Sequence, residues 1–265
     1  MSLKASLKLL LRSRSLGFVI NQHRPGRTGR HVYNGRPIYY RTASSDMTLM
    51  HDILFYPGPK AEYWLPLEIE PRVIWDLGGN IGLAAIYLAD RFPGAVVHTC
   101  EPVPDNYALL ERNIVGYGNI RSYNLALGRE NGRMEIQGSA RTTNYGGASL
   151  YGVEVDQDSA AWVEVRRPDD FLAEAGITGV DLIKIDTEGA EYDILTSLDP
   201  GRLSEVKWII GELHGVNDFK LLDYLSGSFL LDVRKTLHKR YFRFNACNKQ
   251  IAGRIPRRLI KWLQY

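Results

Sequence analysis

Cysteine is nearly absent from this 265-residue chain. Cys100 and Cys247 are the only two, so no disulfide framework or multi-thiolate metal site can be built. Cys100 sits in an apolar strand-like run and reads as a buried, inert thiol, which points to a reducing, cytoplasmic setting. Long hydrophobic runs are missing too. The segment from Met1 to Phe18 is leucine-rich, but Lys4, Lys8, Arg12 and Arg14 interrupt it. It is too broken to span a bilayer and lacks the small-residue cleavage site of a secretory signal. There is no internal repeat, low-complexity tract or long linker. That leaves one main domain, residues 46–265, behind a basic N-terminal extension over residues 1–45.

Acid is absent from both ends. Nine Lys and Arg precede Asp46 and ten follow Asp232, so the middle holds 14 bases against all 30 acids. Basic ends on an acidic body suit either packing against that body or contact with an anionic surface. Leu3, Leu7, Leu10 and Leu11 share one helical face among the N-terminal cations. Ile255, Leu259, Trp262 and Leu263 do so at the other end. Packing on the core or on a second subunit, giving a homo-oligomer, is the first expectation for such stripes. Peripheral attachment to the inner face of a membrane is the second.

What is present is an alternation. Residues 19–72 read as irregular, with turn signals at Arg24-Pro25-Gly26-Arg27 and Tyr56-Pro57-Gly58-Pro59. From Arg72 the pattern becomes regular. A strand at Val73-Ile74-Trp75 leads through a glycine turn to a helix with Ile81, Ala84, Ala85 and Leu88 on one face. Strands over Ala95–Cys100 and Ile120–Leu127 flank a helix starting at Pro104, with Tyr107, Leu110 and Ile114 inward. Arg133–Gln137 and Trp162–Arg166 alternate and predict an antiparallel excursion around a long loop, Thr142–Gly152. A helix over Asp169–Ala175, a strand over Val180–Ile185, a helix over Ala190–Leu198 and a strand over Val206–Gly211 resume the alternation. Phe229–Leu231 and Tyr241–Phe244 supply final edge strands, and Ile255–Leu263 a last helix. The fold expected is α/β: a doubly wound, mostly parallel Rossmann-like sheet.

The chemistry gathers at strand ends. Trp75-Asp76-Leu77-Gly78-Gly79-Asn80-Ile81-Gly82 lies between a strand and a helix, where open α/β sheets hold nucleotides. A dinucleotide loop opens with glycine because pyrophosphate must approach the helix. Asp76 stands there instead, unwelcome beside phosphates but suited to a cationic ligand such as S-adenosylmethionine. Glu101, 25 residues on, is placed to accept from the hydroxyls of a ribose, in either class of ligand. Asp186, Glu188 and Glu191 follow the fourth parallel strand, where acids at a helix start also simply favour the dipole. Glu212 and His214 follow the fifth, and such a histidine is as readily structural as catalytic.

Together these segments resemble the FkbM family of S-adenosylmethionine-dependent methyltransferases, from about Arg41 to His214. The resemblance rests on the residues 76–82 motif, Glu101-Pro102 with Asn113, Asn124-Leu125-Ala126-Leu127-Gly128, Asp186-Thr187-Glu188-Gly189-Ala190-Glu191, and Glu212-Leu213-His214. Arg167-Pro168-Asp169-Asp170 replaces the family's usual Thr-Leu-Asp-Asp-like step. The resemblance implies S-adenosylmethionine held by Asp76, Gly78, Asn80, Gly82, Glu101, Pro102, Asn124, Ala126 and Asp186. It implies methyl transfer to a hydroxyl of a sugar, glycan or natural product. His214 is expected as the base, with Asp186 and Glu212 beside it. Asp186, Glu188 and Glu212 are also compatible with a divalent ion, which the sequence leaves open. Two other classes stay in view. An NAD-type oxidoreductase would share the sheet and Glu101, although Asp76 speaks against it. A nucleic-acid methyltransferase or binding module would use the basic ends, although the acidic middle repels phosphates.

Overall fold

The computed structural model describes residues 3–136, 161–235 and 241–256. The expected Thr142–Gly152 loop and most of the expected Ile255–Leu263 helix lie outside them; Ile255 itself is buried in the core.

The segment expected to be irregular is structured. Helices α1 (Leu3–Ser13) and α2 (Leu16–Asn21) precede a hairpin of β1 (Thr28–Tyr33) and β2 (Arg36–Arg41). Its turn is Asn34-Gly35, both with positive φ (48° and 79°), the two-residue turn whose twist matches antiparallel strands. An Asn-Gly dipeptide is a hairpin signal that hydrophobic periodicity does not register. Helix α3 (Ser45–Leu49) runs into a π-helical turn, Met50–Leu54, and short 3-10 turns at Gly58–Lys60 and Leu67–Ile69 follow. Nor is the basic extension a separate body. Leu9, Phe18, Ile38 and Tyr40 lie in one apolar cluster with Ile74, Leu83, Ala85, Leu88 and Val97.

Next come β3 (Val73–Leu77), α4 (Leu83–Arg91), β4 (Val96–Cys100), α5 (Pro104–Asn113) and β5 (Ile120–Tyr123). The strand expected over Ile120–Leu127 divides here. A break at Asn124-Leu125 sends β6 (Ala126–Leu127) into a separate three-stranded sheet with β7 (Gly132–Ile136) and β8 (Ala161–Arg166). β7 and β8 pair antiparallel, as expected. On α5, Leu110 is buried, but its neighbours on the inner face are Asn106 and Asn113, while Tyr107 and Ile114 are only half-buried. The chain continues through α6 (Pro168–Glu174), β9 (Leu182–Ile185), α7 (Glu191–Ser197), α8 (Pro200–Glu205) and β10 (Trp208–Leu213). It closes with α9 (Asp218–Ser226), β11 (Phe229–Lys235), β12 (Phe242–Asn248) and α10 (Lys249–Ala252).

The main sheet has the order β11-β12-β10-β9-β3-β4-β5. From β5 to β10 all pairings are parallel, and β12 runs antiparallel to both β10 and β11. One strand is therefore reversed within an otherwise parallel sheet. The chain winds outward from β3 through β4 to β5, then returns to the other side of β3 with β9. That reversal opens a crevice at the carboxyl ends of β3, β4 and β9, where such sheets bind ligands. Among the described residues no helix is long and apolar enough to cross a membrane.

Candidate active site

The glycine turn after β3 is shaped by contact with its neighbours. Gly78 has φ +80°, and a Cβ there would lie 1.9 Å from the backbone carbonyl oxygen of Asp186. Gly79 is equally confined, since its Cβ would meet Thr99 Oγ1 at 2.2 Å. The turn thus presses against β9 on one side and β4 on the other. Gly78 lines the crevice, and packing also requires glycine there, because the backbones of β3 and β9 approach too closely for a side chain. Gly78→Ala should therefore lower stability by about 2–6 kcal/mol, combining backbone strain with overpacking. Urea unfolding would measure it, and an unchanged midpoint would remove this account of the turn. Gly82, φ +88°, caps α4 and faces Leu110, away from the crevice.

The Asp76 carboxylate is fully buried, 3.2 Å from Lys184 Nζ, and accepts a hydrogen bond from Thr99 Oγ1 at 2.8 Å. It lies outside the crevice lining, and its ionic partner in the fold is Lys184 rather than a ligand. Lys184 also links it to the turn, donating to the carbonyls of Gly78 (2.6 Å) and Leu77 (3.2 Å). Burial alone would pull the Lys184 ammonium down, but Asp76 and Asp186 outweigh it and raise its pKa. A lysine inside Leu182-Ile183-Lys184-Ile185 was the visible signal, because a charge in a buried strand needs a partner.

Of the expected cofactor residues, Gly78, Asn80, Glu101, Pro102, Ala126 and Asp186 line the crevice; Asp76, Gly82 and Asn124 do not. Asn124 holds the wall from behind, donating to the carbonyls of Glu101 (2.8 Å) and Pro102 (3.1 Å). Glu101 accepts from the amide N–H of Asn80 at 2.7 Å and of Val103 at 2.9 Å, and from Asn106 Nδ2 at 3.3 Å. Burial raises its pKa, and those two amides oppose the rise. The N-terminal segment reaches this acid through a relay. Buried Asp46 pairs with Arg41 at 2.9 Å, and Arg41 donates to Asn106 Oδ1 at 2.8 Å. Leu49 and Ile53, on either side of the start of the π-helical turn, form an apolar wall opposite Leu125 and Ile136.

At the far end of the crevice lie Asp186 and Glu188, and behind them His214 is ringed by carboxylates. Its Nε2 is 3.4 Å from Glu212, 3.8 Å from Glu188 and 3.9 Å from Asp186, and its Nδ1 is 3.4 Å from Glu191. Glu191 is itself fixed by the amide N–H groups of Thr187 and Gly189. Burial would lower the imidazole pKa, but contacts with Glu191 and Glu212, then Asp186 and Glu188, push it up to about 11. The four carboxylates thus favour the imidazolium, a state that holds its proton and works against the expected role of His214 as the base. Glu212, buried and ion-paired with Arg243 at 3.3 Å, holds the imidazolium rather than facing the crevice.

The two crevice carboxylates behave differently. Burial and then Glu212 raise the pKa of Asp186. Burial and then Asp186 push Glu188 up to about 8. Tyr63, buried and absent from the residues singled out by sequence, donates its hydroxyl to Asp186 Oδ2 at 3.3 Å. Asp186, Glu212 and His214 also offer ligand atoms within 4.8 Å of one another, a set compatible with a divalent ion. A proton and a metal on His214 Nε2 exclude each other.

A mostly parallel sheet with one reversed strand, and a glycine turn and a buried acid lining a crevice at its switch point, define an open α/β fold with a ligand-sized crevice. The family model for the methyltransferase FkbM domain matches residues 76–244, and the chain belongs to that family. It is similar to Methyltransferase 1 of Beauveria bassiana, 28% identical over 53% of this chain and 64% of that one. The 31-O-demethyl-FK506 methyltransferase FkbM of Streptomyces tacrolimicus is 27% identical over 72% of this chain and 80% of its own. The 2-O-methyltransferase NoeI of Sinorhizobium fredii is 30% identical over 49% and 58%. The chain thus spans less than two thirds of the Beauveria and Sinorhizobium proteins it matches.

Proposed function

We propose that this chain moves a methyl group from S-adenosylmethionine to a hydroxyl of a small-molecule or glycan acceptor. The observation that carries the reading is the crevice itself. Glu101 stands at one end and the Asp186–Glu188 pair at the other, joined by the Gly78-Gly79 turn. Three carboxylates along one crevice disfavour the pyrophosphate of a dinucleotide or a nucleic-acid backbone, while a cationic, phosphate-free ligand is favoured. The printed names of the Streptomyces and Sinorhizobium relatives specify methylation at oxygen, which supports the same acceptor chemistry.

When bound, S-adenosylmethionine supplies a methyl group on a sulfonium that leaves as a neutral thioether. The chain's own residues do the rest. Glu101 uses three acceptor positions on Asn80, Val103 and Asn106, and a carboxylate has about four, so it can still take one ribose hydroxyl. Val103, Leu125, Ala126 and Ile136 give the base an apolar slot. Asp186 and Glu188 receive the proton that the acceptor hydroxyl gives up as its oxygen bonds to carbon. Tyr63 fixes one oxygen of Asp186, and the His214 imidazolium keeps at least one of the two carboxylates ionised. Alignment in a dry crevice supplies the remaining acceleration.

Calorimetry with S-adenosylhomocysteine and NADH tests the class, with binding of the first alone as the expected result. Glu101→Gln should weaken that binding at least tenfold, since one lost charge-assisted hydrogen bond is worth about 1.5–3 kcal/mol. The amide is chosen over alanine so that Val103 and Asn106, which share one carboxylate oxygen, keep an acceptor, while its NH2 replaces the oxygen that accepts from Asn80. Equal affinity in the variant would take Glu101 out of the site, and tighter binding of NADH would overturn the class.

A further inference from the structure

The N-terminal helices keep only one side against the core. On α1, Leu9 and Ser13 are buried, whereas Leu7 and Leu11 are 56% and 70% exposed. On α2, Phe18 is buried, whereas Leu16 is 63% exposed and Ile20 is exposed as well. Two residues along a helix turn the side chain by about 200°, so on each helix the exposed apolar pair lies opposite the docked residue. These helices are thus apolar on both sides. Packing accounts for Leu9 and Phe18 and leaves four large aliphatic side chains facing out.

The charge around them has one sign. Lys8 and Arg14 are exposed on α1 and just beyond it, and Arg30 and Val32 alternate outward on β1. Arg14, Arg30 and Val32 line one open depression of about 580 Å3 at the end of α1. Lys8, Arg14 and Arg30 make no ion pair among the described residues, and no acid occurs before Asp46. Arg12, at the same depression, is turned inward, 2.7 Å from His51 Nε2 and stacked on Tyr56. Cations without counter-charges beside exposed leucines match an interface that is both anionic and apolar.

We propose that the α1–α2–β1 face docks on an anionic lipid bilayer. Leu7, Leu11, Leu16 and Ile20 enter the boundary between headgroups and acyl chains, and Lys8, Arg14 and Arg30 meet lipid phosphates. A protein partner would need matching acids and a groove of fixed shape. A nucleic acid would leave the four aliphatic chains in water. A bilayer satisfies both halves of the face at once. The docked face backs onto the π-helical turn through the Arg12–His51 contact, and Ile53 on that turn lines the crevice. Attachment therefore sets the crevice close behind the lipid surface, within reach of acceptors carried there.

The test is co-sedimentation of the full chain with vesicles of phosphatidylcholine alone or with about one third phosphatidylglycerol. The expected result is pelleting with the anionic vesicles only, reduced several-fold between about 0.1 and 0.5 M salt as screening shortens. The double variant Leu7→Glu, Leu11→Glu should lose at least tenfold in partitioning, while Val115→Glu, an exposed valine elsewhere, changes nothing. S-adenosylhomocysteine affinity in solution should be the same for all three proteins, which separates this result from the fate of the methyltransferase reading. Recovery in the supernatant with both vesicle types overturns the proposal, as does pelleting that ignores the double substitution. A concentration-dependent dimer abolished by Leu7→Glu, Leu11→Glu would instead assign the face to a second copy, and a salt-sensitive RNA shift without vesicle binding would assign it to nucleic acid.

Discussion

Lys184→Met should cost about 3–5 kcal/mol of stability, the usual penalty for leaving one partner of a buried ion pair alone. Methionine matches the volume of lysine, so the packing of β9 between β3 and β10 survives and the loss is electrostatic. Asp76 would remain, fully buried, with only Thr99 to hold it. The carbonyls of Leu77 and Gly78 would also lose their donor, and with it the clamp on the glycine turn. For a chain of this size the expected fall in Tm is roughly 6–20 °C. Removing the stranded charge as well, in Lys184→Met with Asp76→Leu, should recover part of the loss, because an apolar pair of similar bulk often replaces a buried ion pair at little cost. Chemical unfolding of the parent and the two variants checks this. A single variant within about 1 kcal/mol of the parent, or a double variant no better than the single, would mean that the pair is not what holds the turn.

The same pair shows where reading the sequence stopped. The parallel core was legible because Val73–Leu77, Val96–Cys100, Leu182–Ile185 and Trp208–Leu213 are short apolar runs with glycine, an acid or histidine directly after them. Those runs also fixed which acids stand at the carboxyl edge. Asp76 was placed correctly, but its partner in the fold was not legible, since Lys184 meets it only once β3 and β9 are side by side. The hairpin at Asn34-Gly35 was missed for a different reason. Its strands alternate too briefly for periodicity to register, and the evidence lay in the turn. Asn124 and Gly82 belong to the recognised motifs yet act behind the crevice wall, because a motif preserves a local shape as well as the atoms that touch a ligand. Tyr63 and Ile53 enter the crevice from a segment with no regular period at all. The state of His214 was the least legible feature. All four acids around it could be counted, but its protonation depends on distances of 3.4–3.9 Å that only the fold sets.

That protonation gives the second large effect. In the parent protein kcat/KM should climb through about pH 8, where Glu188 gives up its proton and the crevice pair gains its second charge. His214→Gln removes the cation that favours those charges. A unit charge about 4 Å away at an effective dielectric near 20 is worth about 4 kcal/mol, roughly three pKa units. Asp186 and Glu188 keep some solvent contact, which screens part of it, so the climb should move up by about one to three pH units. At pH 7.5 the variant should then be about 10–10³-fold slower, and the deficit should shrink steadily as pH rises toward the shifted midpoint, about pH 9–11. A lost general base behaves otherwise, leaving a deficit of about 10²–10⁴ that persists at every pH. Asp186→Asn should show that second pattern, since the amide cannot take the proton. Stability adds an independent reading. His214 has a folded pKa raised above its ordinary value, so its contribution is complete below about 6.5 and is lost as pH rises through about 11. His214→Gln should accordingly unfold more easily at pH 6–8, and the gap from the parent should narrow at alkaline pH. Calorimetric binding of S-adenosylhomocysteine, little changed in His214→Gln, would confirm that the crevice is intact. A His214→Gln enzyme whose deficit stays constant from pH 7 to pH 10 would return the proton-accepting role to His214 and leave the carboxylates as its supports.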